Sequence, residues 1–317
     1  MSTKKRAAAA LGLSFALLLA GATSAVADKG KTPASTPPPL KQTTMDDLST
    51  AMHGEAFAYA SYTTFAQVAS PKGKTSLSKL FSSTAEVELT DHLAMEASLS
   101  GLVKSPTENL QTAIAGENYE TTTMYPQFAQ AAYAAGDTEA GDLFTQIGAD
   151  EATHRDGFTQ ALPAVSSPKN KAPKGPTADD VPIQTGGGST LSDTTRANLL
   201  AAMHGEAFAY ASYMLYADQA QRAGLPSVAQ LFRATATVEL TEHFREEGNL
   251  LGLAGTNAAN LTTAINGEQY ESTTMYPQFA INAINAGDYT VAQAFLEIRG
   301  DEADHAAAYT AALAQNH

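Results

Sequence analysis

The sequence predicts an all-α protein built from two tandem four-helix bundles. Alanine, leucine and glutamate dominate both halves, and apolar residues recur at helical spacing. The stretch at residues 51–62 recurs at residues 202–213, and the same shift of 151 positions holds along the repeat without insertion or deletion. Each copy has about 120 residues, a length that suits a single domain.

The repeat and the composition divide the chain into five segments. Prolines and the run Gly186-Gly187-Gly188 favour a flexible linker between the copies. In chain order the segments are a signal peptide at residues 1–27, a Pro-rich tail at 28–43, domain 1 at 44–163, the flexible linker at 164–192, and domain 2 at 193–317.

The first segment has the composition of a secretory signal. Lys4, Lys5 and Arg6 precede an apolar run from Ala7 to Ala20, and the small residues of Ala25-Val26-Ala27 fit a signal-peptidase site. An apolar run of this length is shorter than the roughly 20 residues needed to span a bilayer. We expect a Sec-type leader cleaved after Ala27 and a secreted or extracytoplasmic protein.

Composition also excludes several classes of chemistry. The chain has no cysteine, which excludes disulfides, thiolate metal sites and a cysteine nucleophile. Its net charge of -14 argues against a nucleic-acid partner, whose phosphates require clustered Lys and Arg. Most of the acid lies in the two copies, so it belongs to folded units and not to an acidic tail.

Turn signals divide each copy into four helices. In the first copy we expect helices at about residues 45–69 and 76–99, a third from about residue 107 to the break at Gly136-Asp137, and a fourth from that break to residue 162. Thr107 is the expected N-cap of the third. Pro126 lies inside the third helix and should bend it.

Acidic residues then fall at matched heights on these four helices. Glu55 and Glu88 are equally far from the turn between the first two helices, and the pairs Glu117/Glu120 and Glu151/His154 are equally far from Gly136. Residues three apart share one helix face. Five carboxylates buried together would repel, and two divalent cations would nearly neutralise them. This predicts a two-metal site in each copy.

Two motifs carry a family resemblance. With Gly116-Glu-Asn-Tyr-Glu-Thr-Thr-Thr-Met-Tyr-Pro-Gln-Phe-Ala129 and Glu151-Ala-Thr-His154, each copy resembles the rubrerythrin branch of the ferritin-like superfamily. The resemblance implies a di-iron centre in each bundle, two per chain, that reacts with hydrogen peroxide or oxygen; manganese remains an alternative metal. The implied ligands are Glu55, Glu88, Glu117, Glu120, Glu151 and His154, and Glu206, Glu239, Glu268, Glu271, Glu302 and His305.

The sequence departs from the family pattern on the second helix. That helix usually carries Glu-x-x-His, whereas here Glu88 is followed by Asp91 and His92. The second copy has Glu242 and His243 at the same places. All four are candidates for a ligand or for a group that supports one. The cysteine-rich electron-transfer domain of full-length rubrerythrins is missing, so we expect an unknown external electron donor.

Aromatic residues near the first glutamate of each copy are further candidates. Tyr59 and Tyr62, with Tyr210 and Tyr213, could hydrogen-bond the centre or carry an oxidising equivalent, although core packing is the simpler interpretation.

The connection between the second and third helices constrains the topology. Residues 100–106 span at most about 24 Å when extended, which is too short for an easy return along a bundle. Either the helices run up and down, or the first hairpin pairs with helices from another copy. We hypothesise exchange, within the tandem or between chains of a homo-oligomer.

The leading functional hypothesis is an exported di-iron oxidoreductase of rubrerythrin type. An exported iron- or manganese-binding or interaction module without catalysis is the alternative. A ferroxidase with iron storage is the weaker one, since a flexibly linked tandem is awkward to build into a closed shell.

Overall fold

The computed structural model describes residues 39–72, 75–167 and 169–315, and the predicted leader and most of the Pro-rich tail lie outside these ranges. The described part of the chain confirms the all-α prediction. It contains eight long helices, four of them continuous. The continuous helices are α1 (Gln42–Ala69), α4 (Thr138–Ser166), α5 (Asp193–Arg222) and α8 (Tyr289–Gln315).

The other four helices each contain one π-helical turn, and Ser70–Lys72 forms a short 3-10 turn after α1. Their π-helical turns are Glu88–His92 in α2, Glu120–Met124 in α3, Glu239–His243 in α6 and Glu271–Met275 in α7. The flanking α-helical parts are Thr75–Val87 and Leu93–Ser100 in α2, Pro106–Tyr119 and Tyr125–Ala135 in α3, Pro226–Val238 and Phe244–Leu251 in α6, and Asn257–Tyr270 and Tyr276–Ala286 in α7.

The start of α3 corrects one sequence expectation. The N-cap is Ser105 and not Thr107, because Ser105 Oγ accepts the Glu108 N–H at 3.3 Å and Glu108 Oε2 accepts the Ser105 N–H at 3.2 Å. This is a capping box, with Pro106 at the first helical position. Pro126 lies two residues after the π-helical turn of α3, in the first turn of the next α-helical part.

Each four-helix bundle combines helices from both sequence repeats. The outer bundle consists of α1 and α2 from the first repeat with α7 and α8 from the second. In its core Phe65 and Phe81 pack with Leu261 and Tyr309. The hairpin exchange hypothesised from the short connection is therefore present, and it occurs within the chain.

The inner bundle consists of the four middle helices, α3 to α6, and is continuous in sequence. In its core Leu110 and Phe158 pack with Tyr213 and Phe232. The short connections at residues 101–105 and 252–256 lead from one bundle into the other instead of returning along a bundle. Gly101 and Gly252 end the preceding helices in the left-handed conformation, at φ 67° and 79°.

The two bundles pack against each other mainly through α1 and α5, the corresponding helices of the two repeats. Their shared core contains Met52, Ala56, Met203 and Ala207, with Phe244 from α6. The small side chains of Ala56 and Ala207 alternate with the larger Met52 and Met203, which lets the two helices pack closely.

The segment predicted as a flexible linker lies along the inner bundle. The Asp179 N–H donates to Glu242 Oε2 and the Gln184 N–H to Asn249 Oδ1, both at 2.8 Å. Gly175, at φ 85°, crosses α6 so closely that an added Cβ would lie 2.6 Å from Ala234 Cβ. The described helices include none long and apolar enough to cross a membrane.

We predict that cutting the chain between the repeats leaves the molecule assembled, because each repeat supplies half of both bundles. A protease site inserted within residues 167–192 would be cleaved, and the products followed by native size-exclusion chromatography. Both fragments should elute together at the size of the uncut chain and separate only in denaturant. Elution as two separate folded repeats would contradict the exchanged topology.

Candidate metal centres

The outer bundle gathers four carboxylates and two imidazoles at its middle. Glu55 comes from α1, Glu88 and His92 from α2, Glu268 from α7, and Glu302 and His305 from α8. All are buried except His305, whose side chain is 15% exposed. They form two overlapping groups, each with ligand atoms within 4.8 Å of one another. Both repeats therefore contribute to this one site, the outer centre.

Two carboxylates of the outer centre each face both imidazoles. Glu88 Oε2 lies 2.9 Å from His92 Nδ1, and Glu88 Oε1 lies 3.2 Å from His305 Nδ1. Glu302 places Oε1 3.0 Å from His92 Nδ1 and Oε2 3.0 Å from His305 Nδ1. Each of these carboxylates thus places one oxygen beside His92 and the other beside His305. A carboxylate that bridges two metal ions has this arrangement, with one metal position next to each histidine.

The remaining two carboxylates each belong to one position. Glu55 Oε2 lies 3.6 Å from His92 Nδ1, and Glu268 Oε2 lies 3.5 Å from His305 Nδ1. Each position therefore has one terminal glutamate, one histidine and a share of the two bridging glutamates.

The inner bundle repeats this geometry with the roles of the repeats reversed. The bridging carboxylates are Glu151 and Glu239, whose oxygens lie 2.8 to 3.1 Å from the Nδ1 atoms of His154 and His243. The terminal carboxylates lie further out, with Glu117 3.7 Å from His154 and Glu206 3.6 Å from His243. We call this site the inner centre.

The buried polar atoms of both centres fit divalent metal ions. One ring nitrogen donates at most one proton, yet His92 Nδ1 faces oxygens of Glu55, Glu88 and Glu302 together. Although they lie close to imidazole nitrogens, both oxygens of Glu88 and both of Glu239 accept no hydrogen bond. Carboxylate and imidazole ligands suit iron, manganese and zinc. Cations would satisfy atoms that the protein leaves unpaired.

Protonation is the alternative way to reduce repulsion in the metal-free protein. Burial, together with repulsion from Glu151, raises the pKa of Glu206 to about 8. Burial and repulsion from Glu302 likewise raise the pKa of Glu55 well above its usual range. Metal binding to these centres is therefore expected to displace protons.

The π-helical turns explain the unusual spacing on α2 and α6. The Leu93 N–H donates to the Glu88 carbonyl five residues earlier, and the Phe244 N–H does the same to that of Glu239. One residue is thereby added to the helical turn. The histidine that follows the glutamate at i+4, and not at i+3, then faces the same cluster as that glutamate.

Tyrosine hydroxyls hold the terminal carboxylates in place. Tyr62 donates to Glu268 Oε1 at 2.6 Å, and Tyr213 donates to Glu117 Oε1 at 2.6 Å. Each of these pairs joins a helix of one repeat to a helix of the other. Such partners fix the orientation of a ligand and are part of a metal site.

A second tyrosine in each bundle connects a terminal carboxylate to a further buried acid. Tyr276 contacts Glu55 and lies 3.0 Å from Glu96 Oε1. A phenol has one proton, so one of these contacts needs a proton from a carboxyl group. Burial raises the pKa of both Glu55 and Glu96, which favours one protonated carboxyl in this group of three side chains. Tyr125, Glu206 and Glu247 repeat the arrangement in the inner bundle.

The structure places most of the sequence candidates at the two centres. His92 and His243 lie among the clustered groups. Glu271 and Glu120 lie beside them, over Gly54 and Gly205: an added Cβ at these glycines would lie 3.4 and 3.7 Å from their Oε1 atoms. Because Gly54 and Gly205 have no side chain, there is room for the carboxylates of Glu271 and Glu120.

Other candidates lie away from the clusters. Asp91 is exposed, and Glu242 accepts the backbone N–H of Asp179. Tyr59 and Tyr210 contact each other and no clustered carboxylate.

Sequence analysis did not identify Glu96 and Glu247, nor Asp301 and Asp150. Asp301 Oδ2 lies 3.4 Å from His92 Nε2, on the side of the ring away from the cluster, and Asp150 lies 3.8 Å from His243 Nε2. The sequence does contain a sign of their role. Each of these acids recurs at the 151-residue shift and lies four residues from a candidate histidine, on the same helix face.

The matches to known proteins point to one family. The Rubrerythrin family model matches residues 46–162 and 238–313. Nigerythrin from Nitratidesulfovibrio vulgaris is 32% identical over 139 residues, which cover 39% of this chain and 68% of that protein. Rubrerythrin from Porphyromonas gingivalis is 37% identical over 128 residues, which cover 36% of this chain and 64% of that protein. A putative rubrerythrin from Methanocaldococcus jannaschii is 29% identical over 143 residues, covering 38% and 70%.

The matched part thus spans about two thirds of the length of these relatives. No solved structure matches the chain.

We predict that a chelator removes metal from the outer centre faster than from the inner one. His305 is 15% exposed whereas its counterpart His154 is 2% exposed, and the linker lies along α6 of the inner bundle. Stopped-flow measurement of metal release should show two phases of equal size. Glu117→Ala should leave only the fast phase and Glu268→Ala only the slow one. The opposite assignment would contradict the prediction.

Proposed function

Because the chain belongs to the rubrerythrin family, we propose that it is a di-iron oxidoreductase that reduces hydrogen peroxide, or reacts with oxygen, in each bundle. The observation that carries the proposal is the pair of glutamates that face two imidazoles at once, found in both bundles. Bound ferrous iron would supply electrons to cleave the O–O bond. Manganese is the alternative metal for the same oxygen and nitrogen ligands.

The side chains around each centre position the ligands and supply protons. Tyr62 and Tyr276 hold the terminal glutamates of the outer centre. Reduction of peroxide to water consumes two protons for every two electrons. Burial raises the pKa of the Glu96 carboxyl, which accepts a hydrogen bond from Tyr276 and would supply one of these protons. The closely packed aromatic side chains beside the centre, among them Phe81 and Tyr309, keep bulk water out.

Turnover requires an electron donor from outside the chain. The sequence has no cysteine, so it cannot build the thiolate-ligated iron site that would deliver electrons internally. We therefore propose that a separate molecule supplies the electrons.

A single chain is sufficient to build both centres. The two repeats exchange hairpins with each other, so one chain supplies all ligands of both centres without a second copy. A homo-oligomer would be an addition to this arrangement and not a condition for it. The basic and apolar residues at the start of the chain support export, and the external donor would then act outside the cytoplasm.

We expect the iron-loaded chain to bind about four iron ions and its ferrous form to be oxidised by peroxide faster than by oxygen. Glu117→Ala combined with Glu268→Ala removes one terminal ligand from each centre. Because even the partners that orient metal ligands contribute 10- to 100-fold, the rate should fall by more than about 100-fold. Metal analysis and stopped-flow absorbance measure both quantities.

The matched control replaces one exposed glutamate in each bundle, Glu139→Ala with Glu297→Ala, and should behave like the parent chain. Tight iron binding without rapid peroxide reaction would favour the non-catalytic metal-binding module. Rapid reaction with oxygen and accumulation of ferric mineral would favour the ferroxidase. Absence of bound metal in the parent chain would contradict all three.

A further inference from the structure

The contact between the two bundles is symmetric in the repeat. Residues related by the 151-residue shift meet across it: His53 stacks on Phe208 at 4.0 Å between ring centroids, and His204 stacks on Phe57 at 4.1 Å. An approximate two-fold axis therefore passes between α1 and α5. A residue close to this axis lies next to its own counterpart.

Tyr59 and Tyr210 are such a pair. Their ring centroids lie 5.3 Å apart with an angle of 6° between the ring planes, and their hydroxyl oxygens lie 3.1 Å apart. Both side chains are partly buried. The hydroxyl oxygens are closer than the ring centroids, so the two parallel rings meet at their hydroxyl ends.

This geometry distinguishes the pair from the other described tyrosine contacts. Tyr62 meets Tyr309 edge-on at 65°, and its hydroxyl group is held by Glu268. Tyr213 and Tyr216 are tilted by 40° with centroids 6.3 Å apart. Among the described ring pairs, Tyr59 with Tyr210 alone combines parallel tyrosine rings with contacting hydroxyl groups.

The pair also lies between the two metal centres. Tyr59 follows the terminal ligand Glu55 by four residues on α1, and Tyr210 follows Glu206 by four residues on α5. Four residues correspond to an axial distance of about 6 Å. Each tyrosine is thus one helical turn from a ligand of its own bundle and touches the tyrosine of the other bundle.

We propose that Tyr59 and Tyr210 are a site of oxidative cross-linking, at which peroxide that meets the metal centres without an electron donor joins the two repeats covalently. This inference rests on the proposed function. Each tyrosine gives up one electron and one proton, and a carbon–carbon bond forms between the ring carbons next to the two hydroxyl groups. Two ring C–H bonds are broken, both phenols are restored, and one hydrogen peroxide accepts two electrons and two protons to become two waters.

The composition of the chain favours tyrosine as the residue type that is oxidised. The chain has no cysteine and no tryptophan, which leaves tyrosine as the side chain best able to give up one electron with its proton. Two tyrosines in contact can supply the two electrons that one peroxide requires. The product would fix α1 to α5 and so hold the two exchanged bundles together.

The test uses the full iron-loaded chain with peroxide in excess over iron and no added reductant. Peptide mass spectrometry should find the peptides of Tyr59 and Tyr210 joined, with a mass lower by two hydrogens than their sum. Tyr59→Phe and Tyr210→Phe should each abolish this product. Tyr289→Phe, which changes the tyrosine that is 69% exposed, should retain it.

Iron oxidation is followed in the same samples, so the two proposals can fail separately. Oxidised iron without the cross-link would overturn this inference and leave the proposed function intact. An equal yield of cross-link in the Glu117→Ala/Glu268→Ala chain would also overturn it, because that chain lacks intact centres. Iron that stays ferrous would contradict both the proposed function and a cross-link driven by it.

Discussion

The burial of acidic side chains at two points in the molecule is the constraint on which the rest of the structure depends. At each point two glutamates face two histidines with both of their oxygens, and two further glutamates complete the positions. Isolated charges in such an interior would be costly, and protonation or cation binding must balance them. Tyr62 and Tyr213 hold terminal glutamates, and the π-helical turns place His92 and His243 at the clusters.

Hairpin exchange satisfies a second constraint, the length of the chain between helices. The connections at residues 101–105 and 252–256 are too short to return along a helix of about 39 Å, the length expected for the 26 residues of α2. The second hairpin of each repeat therefore joins the first hairpin of the other. Because both hairpins are in one chain, the partner is always present, and the linker closes the inner bundle along α6.

Much of the fold and of the site could be predicted because both depend on simple periodicities. Helical spacing located the eight helices, and equal distances from the turns placed Glu55 level with Glu88 and Glu117 level with Glu151. The hairpin exchange then divides these two pairs between the outer and the inner centre. The π-helical turns could not be predicted, since they depend on which carbonyl the Leu93 N–H reaches. The course of the linker depends on close contacts such as that of Gly175 with Ala234. Glu96 was missed because an acid two turns from a ligand resembles an ordinary surface residue until its burial is known.

Each metal centre takes its candidate ligands from both repeats. Anomalous diffraction from crystals of the iron-loaded chain, collected at the iron absorption edge, tests it most directly. The account predicts two pairs of peaks, one between Glu88 and Glu302 and the other between Glu151 and Glu239. Pairs of peaks bound by residues of a single repeat, such as Glu88 with Glu151, would contradict it.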